Sequence, residues 1–340
     1  MPRHRYDLLA LDLDGTLYGP DGRVSPANAA AVRAAREAGI EVVICTGRGI
    51  AESKTAIAAT DSHIPAKGRQ VAPIVVAGGA MVADAASGRT LHRWPMNAGL
   101  VRRLCDHFAR RGRAPLILKD RDAAGFDYLV VNSGPLEPPI QWWFSVMNVE
   151  VKFVDHVDQD QHPEHTVRVA FAAVTPVMLE LAASVSAEFG HETMLQHFAA
   201  VTGVKQRAEE RAARKRAVHA GVTMPRDAKL EADLSSDDSG PHGVKDENVQ
   251  LLEVFDRQVS KWTAIRRLAA EQGIAPERIA AVGDEVNDVA LIEGVSMGGG
   301  LGIAMGNAVP AVKKAAKRET KSYAEDGVAH AIDRILSGEW

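Results

Sequence analysis

Short apolar runs that each end in an acidic or glycine-rich turn recur near both ends of this chain, and they constrain its fold more than any other feature. Tyr6–Leu11 runs into Asp12-Leu13-Asp14-Gly15, and Ile40–Cys45 into Thr46-Gly47-Arg48. Ile74–Ala77 runs into Gly78-Gly79, and Ile279–Val282 into Gly283-Asp284. Each run has the length of a buried strand rather than of a helix. Between the first two lies an alanine-rich helix. It opens at Ser25-Pro26, with the hydroxyl as N-cap and proline in the first turn, and it stops at Gly39. Ser260–Gln272 reads as another helix closed by Gly273, a further one starts at Asp288, and Gly302–Met305 reads as a strand. Strands separated by helices require crossover connections, so the spacing predicts an α/β fold. Its core is a doubly wound, Rossmann-like parallel sheet assembled from residues 1–90 and 256–340.

Residues 91–255 follow another pattern and read as an inserted α+β domain. A helix is expected over Ala98–Arg111 and another near Pro176–Phe189. Strands are expected at Leu116–Lys119, Tyr128–Asn132, Val151–Val154, Thr166–Ala173, Glu192–Ala199 and Val249–Phe255. Within this domain, 203–248 changes composition sharply. Lys205–Arg216 is basic, and Asp227–Glu247 is acidic and rich in serine, glycine and proline. Such a segment offers too little apolar surface to order itself, so it is expected to be a mobile insertion, and it is where a protein partner would dock.

Composition narrows the partners. With 340 residues the chain exceeds what one hydrophobic core organises, and a net charge of -4 leaves no electrostatic footprint for nucleic acid. No stretch approaches the ~20 apolar residues of a membrane span, and the run Leu8–Leu13 is too short, and interrupted by Asp12, to be a signal core. Cys45 and Cys105 are the two cysteines, which excludes a disulfide framework and fits a reducing, cytoplasmic setting.

The turns themselves carry the chemistry. Ligands of open parallel sheets bind beyond the carboxyl ends of the strands, which is where these turns lie. Asp12 is placed to act as a nucleophile, and Asp14 to protonate a leaving oxygen and then activate water. Taken alone, the same residues also read as an ordinary acidic turn. The Thr46 hydroxyl and the tight turn at Gly47 suit phosphate oxygens. Arg48 follows Cys45 too closely for a cysteine phosphatase loop, so Cys45 reads as a buried strand residue and Arg48 as a surface charge. Asp12 and Asp284, at neighbouring strand ends, supply the oxygen donors that a divalent cation such as Mg2+ takes. Lys261 would neutralise the nucleophile and a transferring phosphoryl group. The glycine run Gly298–Gly302 precedes a strand and is no dinucleotide loop. His156, His162 and His165 are too irregularly spaced to be taken as a metal site.

With its motifs in this order, the chain resembles the haloacid dehalogenase (HAD) superfamily, in particular the Cof-like phosphatases that carry a large cap between the second and third motifs. Gly302-Ile303-Ala304-Met305-Gly306-Asn307-Ala308 and Glu325-Asp326-Gly327-Val328-Ala329 extend the likeness. The resemblance implies Asp12 as nucleophile, Asp14 as general acid and base, and Thr46, Gly47, Lys261 and Asn287 around the phosphate. It implies magnesium held by Asp12, the Asp14 carbonyl and Asp284, with Asp288 in support. The substrate would be a small phosphorylated metabolite, such as a sugar phosphate. A sugar phosphomutase would use the same residues, and a non-catalytic binding module using the charged insertion is the reading of another class. Where the family often has Asn-Gly-Ala, this chain has Gly78-Gly79-Ala80.

Overall fold

The computed structural model describes residues 5–202 and 244–340. In chain order its first strands are β1 (Leu8–Leu11), β2 (Glu41–Ile44), β3 (Pro73–Val76), β4 (Met81–Asp84) and β5 (Thr90–Arg93). Then follow β6 (Leu116–Lys119), β7 (Tyr128–Val131), β8 (Val151–Val154), β9 (Thr166–Val174), β10 (Thr193–Thr202) and β11 (Val244–Asp256). The last are β12 (Ile279–Gly283), β13 (Leu301–Ala304) and β14 (Arg318–Glu319).

The core sheet has the order β14-β13-β12-β1-β2 and is parallel throughout. Leu8–Leu11 are at most 1% exposed, as an uninterrupted apolar run must be when helices cover both faces of a parallel sheet. Strand β1 lies between β2 and β12, so the turn after it opens beside the turn that follows β12, the middle strand of the sheet. The expectation for Ile74–Ala77 is corrected. Strand β3 joins β2 through a single parallel bridge, Cys45 to Val75, and otherwise pairs antiparallel with β4 in a separate β3-β4-β5 sheet. The reason is local. Gly78 and Gly79 adopt φ of 65° and 101°, which turns the chain straight back into β4. Strand β5 straddles the domain limit expected at residue 90.

The inserted region is built on a mixed sheet of order β10-β11-β9-β6-β7-β8. Its two faces follow the period of two along each strand. Ile117, Leu129, Val169, Phe171, Leu252 and Val254 pack with Leu104 and Phe108 of helix Ala98–Ala109, and with Met178 and Val185 of helix Thr175–Phe189. The alternate residues, among them Leu116, Tyr128, Ala170 and Ala172, join the apolar cluster of the parallel sheet. Residues 203–243 of the charged insertion lie outside the described residues. Its end is corrected: β11 begins at Val244, not Val249, with Thr202 opposite Val244 and Ala200 opposite Asp246 across a register shift. Lys245-Asp246-Glu247-Asn248 has no apolar alternation to betray a strand, but an antiparallel ladder is made by the backbone. No helix among the described residues is long and apolar enough to cross a membrane.

Candidate active site

At the carboxyl end of β1 the backbone makes a π-type turn over Leu13–Leu17, and Asp12 and Asp14 emerge from its start. Asp12 is 4% exposed, and its N–H donates to the Val282 carbonyl of the neighbouring strand at 3.0 Å. Lys261, fully buried at the first turn of helix Lys261–Glu271, donates from Nζ to Asp12 Oδ1 and, at 2.6 Å, to Asp288 Oδ1. The Ser260 hydroxyl accepts the Thr263 N–H at 3.0 Å and so fixes where that helix, and its lysine, begins. Asp288 Oδ2 in turn accepts the N–H groups of Asp284 and Glu285 at 2.9 and 3.1 Å. Asp288 thus braces both the lysine and the turn after β12.

Asp284 is aimed by two further groups. Thr16 Oγ1 donates to its Oδ1 at 3.0 Å, and Asn307 Nδ2 to its Oδ2 at 3.2 Å, the latter also holding the Gly15 carbonyl at 2.9 Å. A side chain at Gly15 would place its Cβ 2.3 Å from Asp284 Oδ2, so glycine is what lets the two acidic turns meet. Asp14 faces Arg48, which donates from Nε at 2.8 Å to Oδ2 and from Nη2 at 2.6 Å to Oδ1.

Arg48 is therefore a correction. It is 8% exposed, clamps Asp14 in a two-point pair and lies over the Tyr18 and Trp143 rings at 5.4 and 5.5 Å. A cation directly after a strand-end Thr-Gly was the signal for it, and its position among four motifs, rather than its residue type, gave it meaning. Thr16 and Asn307 were also missed as site residues, although Thr16 directly follows Asp12-Leu13-Asp14-Gly15 and Asn307 sits inside the Gly302–Ala308 motif. Thr46 is fully buried, and its hydroxyl accepts the Arg48 N–H at 3.1 Å. Gly47 lines the cavity, and its carbonyl accepts from Arg168 at 2.7 Å. Asn287 Nδ2 lies 3.8 Å from the point a Gly47 Cβ would occupy. Cys45 is fully buried, which pushes its thiol up and keeps it unreactive. Away from this site, the ligand atoms of His162, Glu164 and His165 come within 4.8 Å of one another, closer than their spacing implied.

Burial, followed by the neighbouring Asp288 carboxylate, pushes Asp12 up to about 7 against the opposing pull of Lys261. Burial alone would lower Lys261, but the Asp12 and Asp288 charges hold it above the ordinary lysine range. Oxygens of Asp12, Asp284 and Asp288 all lie within 4.8 Å of one another. An all-carboxylate donor set that raises the pKa of its own member fits a hard divalent cation and does not fit a thiophilic one. Since Arg48 occupies the Asp14 carboxylate, a contribution from Asp14 to such an ion would come from its backbone carbonyl. Asp12, Asp14, Arg48 and Asp284 line a cavity of about 470 Å³ whose far wall comes from the inserted region, including Tyr128, Trp143, Arg168 and Glu253.

Comparison with known proteins agrees with this geometry. The family model of the haloacid dehalogenase-like hydrolases matches residues 9–198 and 209–332. The chain is 24% identical over 336 residues, 98% of its length and 99% of the relative's, to the 5-amino-6-(5-phospho-D-ribitylamino)uracil phosphatase YwtE of Bacillus subtilis (strain 168). It is 27% identical over 341 residues, 97% of its length and 99% of the relative's, to phosphatase YwpJ of the same organism. A haloacid dehalogenase-like hydrolase from Bacteroides thetaiotaomicron superposes with a TM-score of 0.66 at 20% identity, over 97% of this chain and 99% of that one. The HAD subclass IIB sugar phosphatase BT4131 does so with 0.64 at 16% identity, again over 97% and 99%. An aspartate pair after β1, a buried lysine and a second acidic turn, set in a fold shared over nearly the whole chain, lead to one conclusion: this protein belongs to the haloacid dehalogenase-like hydrolases and is an enzyme of their phosphatase branch.

Proposed function

We propose that the protein hydrolyses a small phosphate ester, a sugar phosphate or related metabolite, with Mg2+ and through an aspartyl-phosphate on Asp12. The observation that carries this reading is the buried Asp12–Lys261–Asp288 chain of charges, whose Asp12 end lines a cavity between the core and the inserted region. Asp12, the Asp14 carbonyl and Asp284 would hold the cation, with Asp288 bracing the shell. When bound, the cation supplies charge neutralisation for the phosphate oxygens.

Asp12 Oδ attacks phosphorus and the ester oxygen leaves with a proton from Asp14. Asp14 then takes a proton from water, whose oxygen attacks the aspartyl-phosphate and restores Asp12. Arg48 aims the Asp14 carboxylate throughout. Lys261, Gly47, Thr46 and Asn287 would steady the phosphoryl group, and the inserted domain (91–255) over the core (1–90 and 256–340) would exclude water from it.

The test is phosphate release from a panel of phosphate esters, with and without chelator, together with acid-quench labelling of Asp12. Labelling without phosphate release, accompanied by an isomerised sugar phosphate, would indicate a phosphomutase. The ester after which the YwtE relative is named belongs in the panel.

A further inference from the structure

Strands β9 and β11 bury an ion pair in the face they turn towards Asp12. Arg168 is 4% exposed and Glu253 1%. Arg168 Nη1 donates to Glu253 Oε1 and, at 2.7 Å, to the Gly47 carbonyl, while Nη2 reaches the Tyr128 hydroxyl at 3.3 Å. A buried pair of this kind costs stability unless its remaining polar atoms are also satisfied. Here they are not. Arg168 Nε and Glu253 Oε2 are buried without a partner among the described residues, as is Asn287 Oδ1. All three side chains line the cavity that holds Asp12.

Glu253 Oε2 lies 3.9 Å from the position of a Gly47 Cβ, so the unmatched carboxylate oxygen stands beside the loop expected to hold phosphate. Phosphate cannot be its partner, because the two anions repel. What fits is a donor on the part of the substrate next to the transferred group. A hydroxyl both donates and accepts, and so answers Glu253 Oε2 and Arg168 Nε with one kind of group. Among the described residues the cations lining the cavity are already balanced, Arg48 by Asp14 and Arg168 by Glu253, which leaves none of these for a second anionic group. Trp143, Phe144 and Leu251 add apolar surface for the carbon skeleton.

We infer that Arg168 and Glu253 form the leaving-group subsite, and that the leaving group is an uncharged polyol or sugar chain with a hydroxyl close to the ester oxygen. This rests on the phosphatase reading above and names its substrate class. It is tested with wild-type protein, magnesium and three esters: D-ribitol 5-phosphate, pentyl phosphate (the same carbon chain without hydroxyls) and p-nitrophenyl phosphate. The ribitol ester should exceed the pentyl ester in kcat/KM by roughly ten- to a hundredfold, as expected for a hydrogen bond to a charged group. That ratio should collapse towards one in Glu253→Gln. It should also collapse in the double variant Arg168→Met, Glu253→Leu, in which apolar side chains of similar volume replace the pair and preserve the fold. Cooperative thermal unfolding establishes that the double variant is folded. A folded variant that keeps the wild-type ratio, or a wild type indifferent to the hydroxyls, overturns the subsite. Release of phosphate from none of the three esters overturns the reading of Asp12 as nucleophile, and the subsite falls with it.

Discussion

Arg48 holds Asp14 through both carboxylate oxygens, a fork that lysine cannot reproduce. Arg48→Lys should therefore lower kcat by roughly ten- to a hundredfold, most for alkyl esters that need leaving-group protonation and least for p-nitrophenyl phosphate. An equal deficit on both would deny that Arg48 acts through Asp14. Asp12→Asn should abolish turnover by on the order of a thousandfold or more. The metal-free variant should melt no lower than wild type, because burial and Asp288 already disfavour the Asp12 charge; a clear loss in thermal melting would contradict this. A third residue speaks to pH. Burial would raise Asp84, but bonds from the Ser87 hydroxyl and from the Ala72, Ala86 and Ser87 amides outweigh it and hold its pKa below the usual carboxylate value. A depressed carboxylate stabilises the fold above its unfolded pKa, and that contribution disappears as pH falls through the folded value. Asp84→Ala should cost about 1–2 kcal/mol in urea unfolding at neutral pH, and the gap should narrow below pH ~4. At this scale the sequence was readable where chemistry and strand ends coincide, as at Asp12, Asp14 and Asp284. Arg48 read as a surface charge, and nothing singled out Arg168 and Glu253, because the partners that give these residues their meaning are set by the fold and not by neighbouring sequence.

Among the elements, the helix starting at Lys261 carries the cation that the proposed mechanism sets against Asp12. Ser260 caps it, and Gly79 packs against its first peptide: a Cβ there would meet the Ser260 carbonyl carbon and oxygen at 2.3 Å. Gly79→Ala, strained also by its φ of 101°, should push the helix start aside and reduce kcat with Lys261 itself intact. Ser260→Ala should cost about 1 kcal/mol of stability with a smaller kinetic effect. If Gly79→Ala left kcat unchanged, the lysine would not be positioned by this contact. The neighbouring Gly78 has a similar cause, since a side chain there would strike the Phe255 ring at 2.7 Å, and this accounts for glycine where the resembled family often has asparagine. Helix starts and buried strands were legible because their caps and apolar runs are local signals. The β3-β4-β5 sheet and the first residues of β11 were not, because a tight reversal and a polar ladder leave no apolar periodicity to read.

For the molecule as a whole, Glu52 couples the inserted region to the parallel core. Its Oε1 accepts from Trp143 Nε1 at 3.0 Å and from the Tyr128 hydroxyl at 3.4 Å, while Oε2 accepts the Gly49 N–H. Glu52→Ala should raise KM by roughly tenfold and shift the intrinsic tryptophan emission, as the far wall of the cavity loses its tie. An unaltered emission and KM would mean that other contacts seat the wall.

The order of the core sheet has a consequence for how the protein comes into being. Strand β1 is made early and is paired on both sides in the finished sheet, yet the β12 strand on one of those sides is made late, and Asp12 meets Lys261 across 249 positions of sequence. A ribosome must therefore deliver most of the chain before Asp12, the proposed nucleophile, acquires its counter-charge, and on that proposal the growing polypeptide is catalytically silent until then. Long-range parallel pairing of this kind is also slow to form, so the nascent N-terminal strands wait with open edges, the stage at which a chaperone has most to offer.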